Sequence, residues 1–223
     1  MHSLCCFETF AVNDRVSGGI LMKRLTIGID IDGTITDPFY WLDLANQYFG
    51  TAVRPEEITI YEIGEVLGLK KEEYMKFYED CKEEIHMKAG VREGAKEKLH
   101  KIFQEHEAYY ITARDESLYD LTHHWFDKHE LPKEKLYTLG SHFKVEKAKE
   151  LGCDVFIEDR YENAVELAAE GIKVLLMDCS YNQEPLIPNM IRVKNWEEAA
   201  LVIEGLARKQ NLAHMPERLQ EIR

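Results

Sequence analysis

Three short apolar runs each end in a cluster of polar residues, and this constrains the chain more than any other feature. Leu25–Ile31 ends in Asp30-Ile31-Asp32-Gly33-Thr34. Ala108–Thr112 ends in Thr112-Ala113-Arg114-Asp115. Asp154–Glu158 ends in Glu158-Asp159-Arg160. Runs this short, rich in β-branched and aromatic residues, read as buried strands. Between and after them the apolar residues recur with helical spacing, as in Ala95, Leu99, Ile102 and Phe103, and again in Leu118, Leu121, Trp125 and Phe126. Strands alternating with helices predict an α/β fold with a three-layer, doubly wound parallel sheet. Such a sheet brings the carboxyl ends of its strands, and their polar residues, to one edge.

The expected elements of this sheet are a helix over 94–106, a strand over 108–112 and a helix over 116–129. A weak strand over 136–139 and a short helix over 144–151 follow. Then come a strand over 154–158, a helix over 162–171, strands over 172–177 and 191–193, and a helix over 196–208. Residues 38–90 break the alternation. They are rich in Glu, Lys and aromatics, have helical apolar spacing, and are punctuated by Gly50 and Pro55. They read as a small helical unit inserted after the first strand. The expected organisation is a core of 22–37 and 91–208, an insertion of 38–90 and a polar tail of 209–223. Residues 1–21 show no sustained period. Gly18-Gly19 is what a ribosome-binding site gives when read in frame, so Met22 is the expected natural start. A disordered N-terminal arm is the other reading.

Composition narrows the class. The chain has 223 residues, 45% hydrophobic and 31% charged, within the range of ordinary soluble domains. Its formal net charge of −13 does not suit a binder of nucleic-acid polymer. No apolar run approaches the ~20 residues of a membrane span. The five cysteines are irregularly spaced with no CxxC pair, which favours free thiols in a cytoplasmic protein. Cys153, beside a core strand, reads as a buried thiol.

Asp30, Asp32, Glu158 and Asp159 would meet in one crevice. A like-charge pair ~4 Å apart costs about 4 kcal/mol at an effective dielectric of 20. Such a site needs a cation, and an all-oxygen set favours Mg²⁺, Mn²⁺ or Ca²⁺. Asp-x-Asp-Gly-Thr at a strand end resembles the first motif of the haloacid dehalogenase superfamily. Thr112, Lys144 and Asp159 resemble its second, third and fourth motifs, in the same order. The resemblance covers roughly 25–194. The wording ITAR, a Lys-led helix and DVFIEDRYENA is similar to the 5′(3′)-deoxyribonucleotidase-type group within it.

The resemblance implies a Mg²⁺-dependent phosphomonoesterase, most specifically a nucleotidase, acting on a small phosphate ester. Asp30 would be the nucleophile and Asp32 the general acid and base. Thr112 and Ala113 would bind phosphoryl oxygens, and Gly33 would permit close backbone approach. Lys144 would neutralise charge, although Lys147 and Lys149 on the same helix are alternatives. Asp30, Asp159 and the Asp32 carbonyl would hold Mg²⁺, with Glu158 at the metal site through a metal-bound water or alternatively capping the next helix. The insertion would be a cap closing over the site. Its Phe39 and Tyr40, nearest the motif, would stack on a nucleobase, whereas most other cap aromatics would form its own core.

Arg114 and Arg160 would bind substrate or pair with nearby Asp115 and Glu162, the commoner fate of an exposed arginine. His123, His124 and His129 read as a solvated helix face. Alternative activities are phosphotransfer, hydrolysis of a sugar phosphate, or phosphate-ligand binding without catalysis. The sequence leaves oligomeric state open, a homodimer included.

Overall fold

The structure, a computed structural model, describes residues 14–17, 20–133 and 135–213. Two strands come first, β1 (Asp14–Ser17) and β2 (Ile20–Lys23), followed by β3 (Thr26–Ile29). The insertion contributes α1 (Leu42–Phe49), a 3-10 turn at Pro55–Glu57, α2 (Ile63–Val66) and α3 (Lys71–Lys88). The chain continues through α4 (Ala95–Glu105), β4 (Glu107–Thr112), a 3-10 turn at Glu116–Leu118, α5 (Tyr119–His129), β5 (Leu136–Thr138) and α6 (Val145–Glu150). It ends with β6 (Val155–Glu158), α7 (Tyr161–Ala169), β7 (Lys173–Met177), β8 (Met190–Val193) and α8 (Trp196–Ala213).

Six strands form one all-parallel sheet in the order β5-β4-β3-β6-β7-β8. Counted from the first strand of the sheet, this is the 3-2-1-4-5-6 order of a doubly wound fold. Strand alternation sorts the side chains into two layers. Ile27, Ile29, Tyr110, Ile157, Leu175 and Met177 pack with α4, α5 and α8 on one face. Ile111, Phe156, Val174 and Leu176 pack with α6 and α7 on the other. Gly28 serves this second layer, because a Cβ there would lie 2.4 Å from the Phe156 ring.

Two expectations are corrected. Asp14–Ser17, expected to lack strand character, pairs antiparallel with Ile20–Lys23. Met22 of that hairpin is buried in the main core. Residues 209–213, expected as tail, continue α8. The expectations for residues 1–13 and 214–223 lie outside the described residues.

The insertion leaves the core after β3 and returns before α4. Its two ends are tied by the Asp37 N–H bond to the Gly90 carbonyl, 2.9 Å, and by a Thr36–Val91 bridge. Gly50 ends α1 in the left-handed region, and Pro55 opens the 3-10 turn, as their sequence positions suggest. Trp41, Leu42, Ala45, Ile58, Phe77 and Ile85 form its apolar centre. Cys179 and Tyr181, from the loop after β7, complete that cluster. The insertion therefore packs over the carboxyl edge of the sheet.

Candidate active site

Asp30 follows β3, and Glu158 ends the adjacent β6 with Asp159 just beyond it. These are the two strands at which the sheet reverses its winding. The Asp30 N–H bonds to the Ile157 carbonyl, 3.0 Å, which fixes the Asp30 backbone to the neighbouring strand. Carboxylate oxygens of Asp30, Glu158 and Asp159 all lie within 4.8 Å of one another, and all three residues are buried. Lys144, 1% exposed, sits between two of them. Its Nζ is 2.6 Å from Asp30 Oδ1 and 2.8 Å from Glu158 Oε2.

The electrostatics of this cluster are unbalanced. Burial pushes the Asp30 carboxyl well up, and Glu158, Asp159 and Asp32 push it further, against the pull of Lys144. Asp159 is pushed up to about 6, by burial first and then by the Glu158 charge. Lys144 is held firmly charged: burial opposes that, but Asp30 and Glu158 outweigh it. One ammonium facing three carboxylates leaves net negative charge in a low-dielectric pocket. The oxygen donors and the surplus charge both suit a hard divalent cation.

Asp159 is oriented through both oxygens. Thr34 Oγ1 donates to Oδ1 at 3.2 Å, and the Tyr181 hydroxyl donates to Oδ2 at 2.6 Å. Asn182, next in the chain, donates to the Asp159 and Met177 carbonyls. Glu158 Oε1 accepts from the Asn163 amide and, at 3.2 Å, from the Arg160 N–H. Glu158 thus supports the start of α7 with one oxygen and pairs with Lys144 through the other.

Gly33 has φ +79° and lines the cavity, but its polar groups are already engaged. Its N–H donates to Thr36 Oγ1, and its carbonyl accepts from Arg92. A Cβ on Gly33 would lie 2.2 Å from Asp159 Oδ2 and 2.9 Å from the Tyr181 hydroxyl. The close approach that requires glycine here is to a carboxylate of the site.

Arg114 corrects the expectation of an exposed arginine paired with Asp115. It is 2% exposed and reaches back 82 residues to Asp32. Nε donates to Oδ2 at 2.8 Å and Nη2 to Oδ1 at 2.7 Å, while Nη1 donates to Thr122. Burial alone would raise the Asp32 carboxyl. The Arg114 charge and its hydrogen bonds hold it well below the usual range. His86, on α3, places Nδ1 3.4 Å from Asp32 Oδ1. Burial and the Arg114 charge lower its pKa, so the ring is neutral near pH 7.

A cavity of about 400 Å³ joins these groups. Asp30, Asp32, Gly33, Thr112, Ala113, Lys144 and Asp159 all border it, as does Tyr40. Phe39 does not; it packs edge-on against Tyr181 with ring centroids 6.1 Å apart. Tyr61, Tyr74 and Tyr78 of the insertion also face the cavity. Lys147 and Lys149 point elsewhere, pairing with Glu150 and Glu170, which leaves Lys144 as the lysine of the site. Arg160 pairs with Glu162 as expected, but also with Glu62 of the insertion at 2.8 Å, and it covers the Tyr61 ring at 4.5 Å.

The three histidines of α5 do not form one solvated face. His124 is exposed, but His123 packs on Tyr119 and Phe126, and His129 lies 5.0 Å from the Trp125 ring. Cys153 is a buried free thiol, as expected.

His86, Arg92, Tyr181 and Asn182 carry no role in the sequence reading. Tyr181 and Asn182 had an available signal, since Asp-Cys-Ser-Tyr-Asn follows the strand over 173–177 and so falls on the same sheet edge. His86, in the last turn of a charged helix, had none.

A doubly wound sheet with this aspartate pair, threonine, lysine and acidic pair at one edge defines a phosphatase of the haloacid dehalogenase type. Residues 24–210 match the family described as 5′ nucleotidase, deoxy (pyrimidine), cytosolic type C protein, and the chain belongs to that family. It is similar to a nucleotidase of Clostridium acetobutylicum, 44% identical over 188 residues, covering 84% of this chain and 98% of that protein. A Halalkalibacterium halodurans protein provisionally named as a nucleotidase is 38% identical, covering 83% of this chain and 96% of its own. Among solved structures, a haloacid dehalogenase-like hydrolase from Streptococcus pneumoniae superposes with a TM-score of 0.61 at 17% identity. That match covers 80% of this chain and 98% of the other, and it shows the shared fold. No described helix is long and apolar enough to cross a membrane.

Proposed function

We propose that this enzyme is a Mg²⁺-dependent 5′-nucleotidase that hydrolyses (deoxy)nucleoside monophosphates through a phosphorylated Asp30. The observation that carries the reading is the buried contact of Lys144 with Asp30 and Glu158, beside Asp159 and at the floor of the cavity. Asp30, Asp159 and the Asp32 carbonyl would hold the metal, with Glu158 reaching it through a water. When bound, a divalent cation would offset repulsion between the carboxylates and the incoming phosphate.

The chain's own groups supply the rest. An Asp30 carboxylate oxygen attacks phosphorus, and the ester P–O bond breaks. The leaving alkoxide takes a proton from the Asp32 carboxyl. Lys144 stabilises the negative charge that builds on the transferring group. Thr112 Oγ1 and the Ala113 backbone, which border the cavity, would receive the phosphoryl oxygens. In the second step the Asp32 carboxylate removes a proton from water as the water attacks the phosphorylated Asp30. Inorganic phosphate and free Asp30 result. The grip of Arg114 favours the anionic Asp32 that this second step uses, and the negative charge of the bound phosphate ester would raise the carboxyl so that it carries the proton needed in the first step.

The insertion acts as a cap that excludes water, and Tyr40 with Tyr61 and Tyr74 offers flat apolar surface for a base. We place the protein in the cytoplasm, where its described cysteines, all free thiols, would stay reduced. The reading is tested by phosphate release from a panel of nucleotides and sugar phosphates, with Mg²⁺ or EDTA, for wild type and Asp30→Asn. Mg²⁺-dependent turnover of nucleotides, lost in Asp30→Asn, is expected. Turnover confined to sugar phosphates removes the nucleotide assignment. Turnover surviving Asp30→Asn removes the nucleophile.

A further inference from the structure

Asp32 is held from two sides of the cavity. Arg114 grips it from the loop after β4, so that contact belongs to the core. The second contact comes from the insertion. His86 is 3% exposed, and its Nδ1 has no hydrogen-bond partner although it lies 3.4 Å from Asp32 Oδ1. Its other nitrogen is engaged, with Nε2 3.2 Å from the Tyr78 hydroxyl. The Tyr40 ring packs 6.0 Å from the imidazole. A neutral imidazole has one N–H. Tyr78 and Nε2 can pair in either direction, but a bare Nδ1 lone pair would be repelled by the Asp32 carboxylate oxygen, which favours the N–H at Nδ1 with Tyr78 donating to Nε2.

Leaving a buried nitrogen without a good partner is destabilising. Tyr78 and Tyr40 nonetheless hold the ring in place. Contacts of this kind are often long in the absence of substrate and tighten when it binds. We propose that His86 is a positioning residue through which seating of the inserted helices sets the Asp32 carboxyl for proton transfer. The Arg114 grip is made wholly within the core, so it does not depend on the insertion. His86 can reach it only when α3 lies against the core, so proton transfer is completed by closure.

The inference rests on Asp32 acting as the general acid proposed above, and the experiment separates the two. Single-turnover release of the leaving group is measured with enzyme in excess of substrate. The two esters are a deoxyribonucleoside 5′-monophosphate, whose alkoxide needs a proton, and p-nitrophenyl phosphate, whose phenolate leaves without one. His86→Ala is expected to slow the nucleotide about 10–100-fold and the aryl ester less than about threefold. Half-saturating enzyme concentrations should stay within about threefold. His86→Asn, with an amide N–H near the place of Nδ1, should recover most of the loss. An equal loss on both esters marks a merely structural role and overturns the proposal, as does no loss on either. Aryl ester turnover is the internal control for folding. Asp32→Asn should show the same selectivity more strongly. If it does and His86→Ala does not, the His86 inference alone fails. If Asp32→Asn shows no selectivity, or wild type turns over neither ester, the functional reading fails and takes the inference with it.

Discussion

Arg114 and Asp32 form a two-pronged ion pair across the mouth of the sheet, with hydrogen bonds of 2.8 and 2.7 Å. The planar fork defines where both carboxylate oxygens lie, which a lysine ammonium cannot do. Arg114→Lys should therefore keep the charge and lose the orientation. A misplacement of about 1 Å at a reacting group can lower the rate on the order of 10²-fold. We expect kcat for the nucleotide to fall by about that factor, with KM little changed, in steady-state assays of phosphate release. A large rise in KM at unchanged kcat would instead make Arg114 a substrate-binding group.

Lys144 offers a separate test, because it is the sole positive group that touches Asp30 and Glu158 among the described contacts. Breaking a buried ion pair by removing one partner typically costs about 3–5 kcal/mol. Lys144→Met should abolish turnover and lower the thermal midpoint in EDTA. Added Mg²⁺ should restore part of the lost stability, since a cation would take over neutralisation of the carboxylates. Calorimetry of the variant with and without Mg²⁺ checks this. An identical midpoint in both conditions would show that no cation enters the cluster.

The parts of the site carried by motifs were legible in the sequence, and the parts carried by tertiary contact were not. Asp30, Thr112, Lys144 and Asp159 each sit at or just beyond a strand end or open a helix, so period and order locate them. Arg114 was visible as a residue but not as a buried one, because its partner lies 82 positions away. Local charge pairing pointed to Asp115, whereas the folded sheet brings Asp32 nearer. His86 shows the same limit more sharply, as helical spacing says nothing about which turn of α3 meets the core. The parallel, doubly wound class of the sheet followed from alternation, whereas its strand order came only with the structure. Asp14–Ser17 was missed because four residues are too few to show a period.

Asp159 should leave a signature in the pH dependence of stability. Its carboxyl is raised to about 6 in the folded protein, by burial and then by Glu158, against an unfolded value of about 3.9. Between those values the native state binds more protons than the unfolded state. This group's contribution to stability therefore falls as pH rises from about 4 to about 6, and the cost persists above. Asp159→Asn cannot titrate. In EDTA, its stability relative to wild type should improve between pH 4 and pH 7 by roughly 1–3 kcal/mol, at 1.36 kcal/mol per unit. Denaturant unfolding at the two pH values measures it. In Mg²⁺ the ordering at pH 7 should reverse, because only wild type keeps the full set of carboxylates for the metal. A pH-independent difference in EDTA would show that Asp159 is not strained by its neighbours.

Gly33 allows the site's geometry to be tested without touching a charged group. A Cβ there would meet Asp159 Oδ2 at 2.2 Å and the Tyr181 hydroxyl at 2.9 Å. The backbone is also at φ +79°, where a side chain adds strain of about 1–3 kcal/mol. Gly33→Ala must push Asp159 away from Tyr181 or shift the loop that carries Asp32. Either movement disturbs the acidic cluster, so Mg²⁺-induced thermal stabilisation should shrink together with turnover. Gly50→Ala is the control, since that position has a similar φ of +66° but nothing within 4 Å of the added atom. It should lose comparable backbone stability and keep both the Mg²⁺ response and turnover. If the two variants behave alike, backbone strain alone explains the loss, and the close packing of Gly33 against Asp159 has no part in the site.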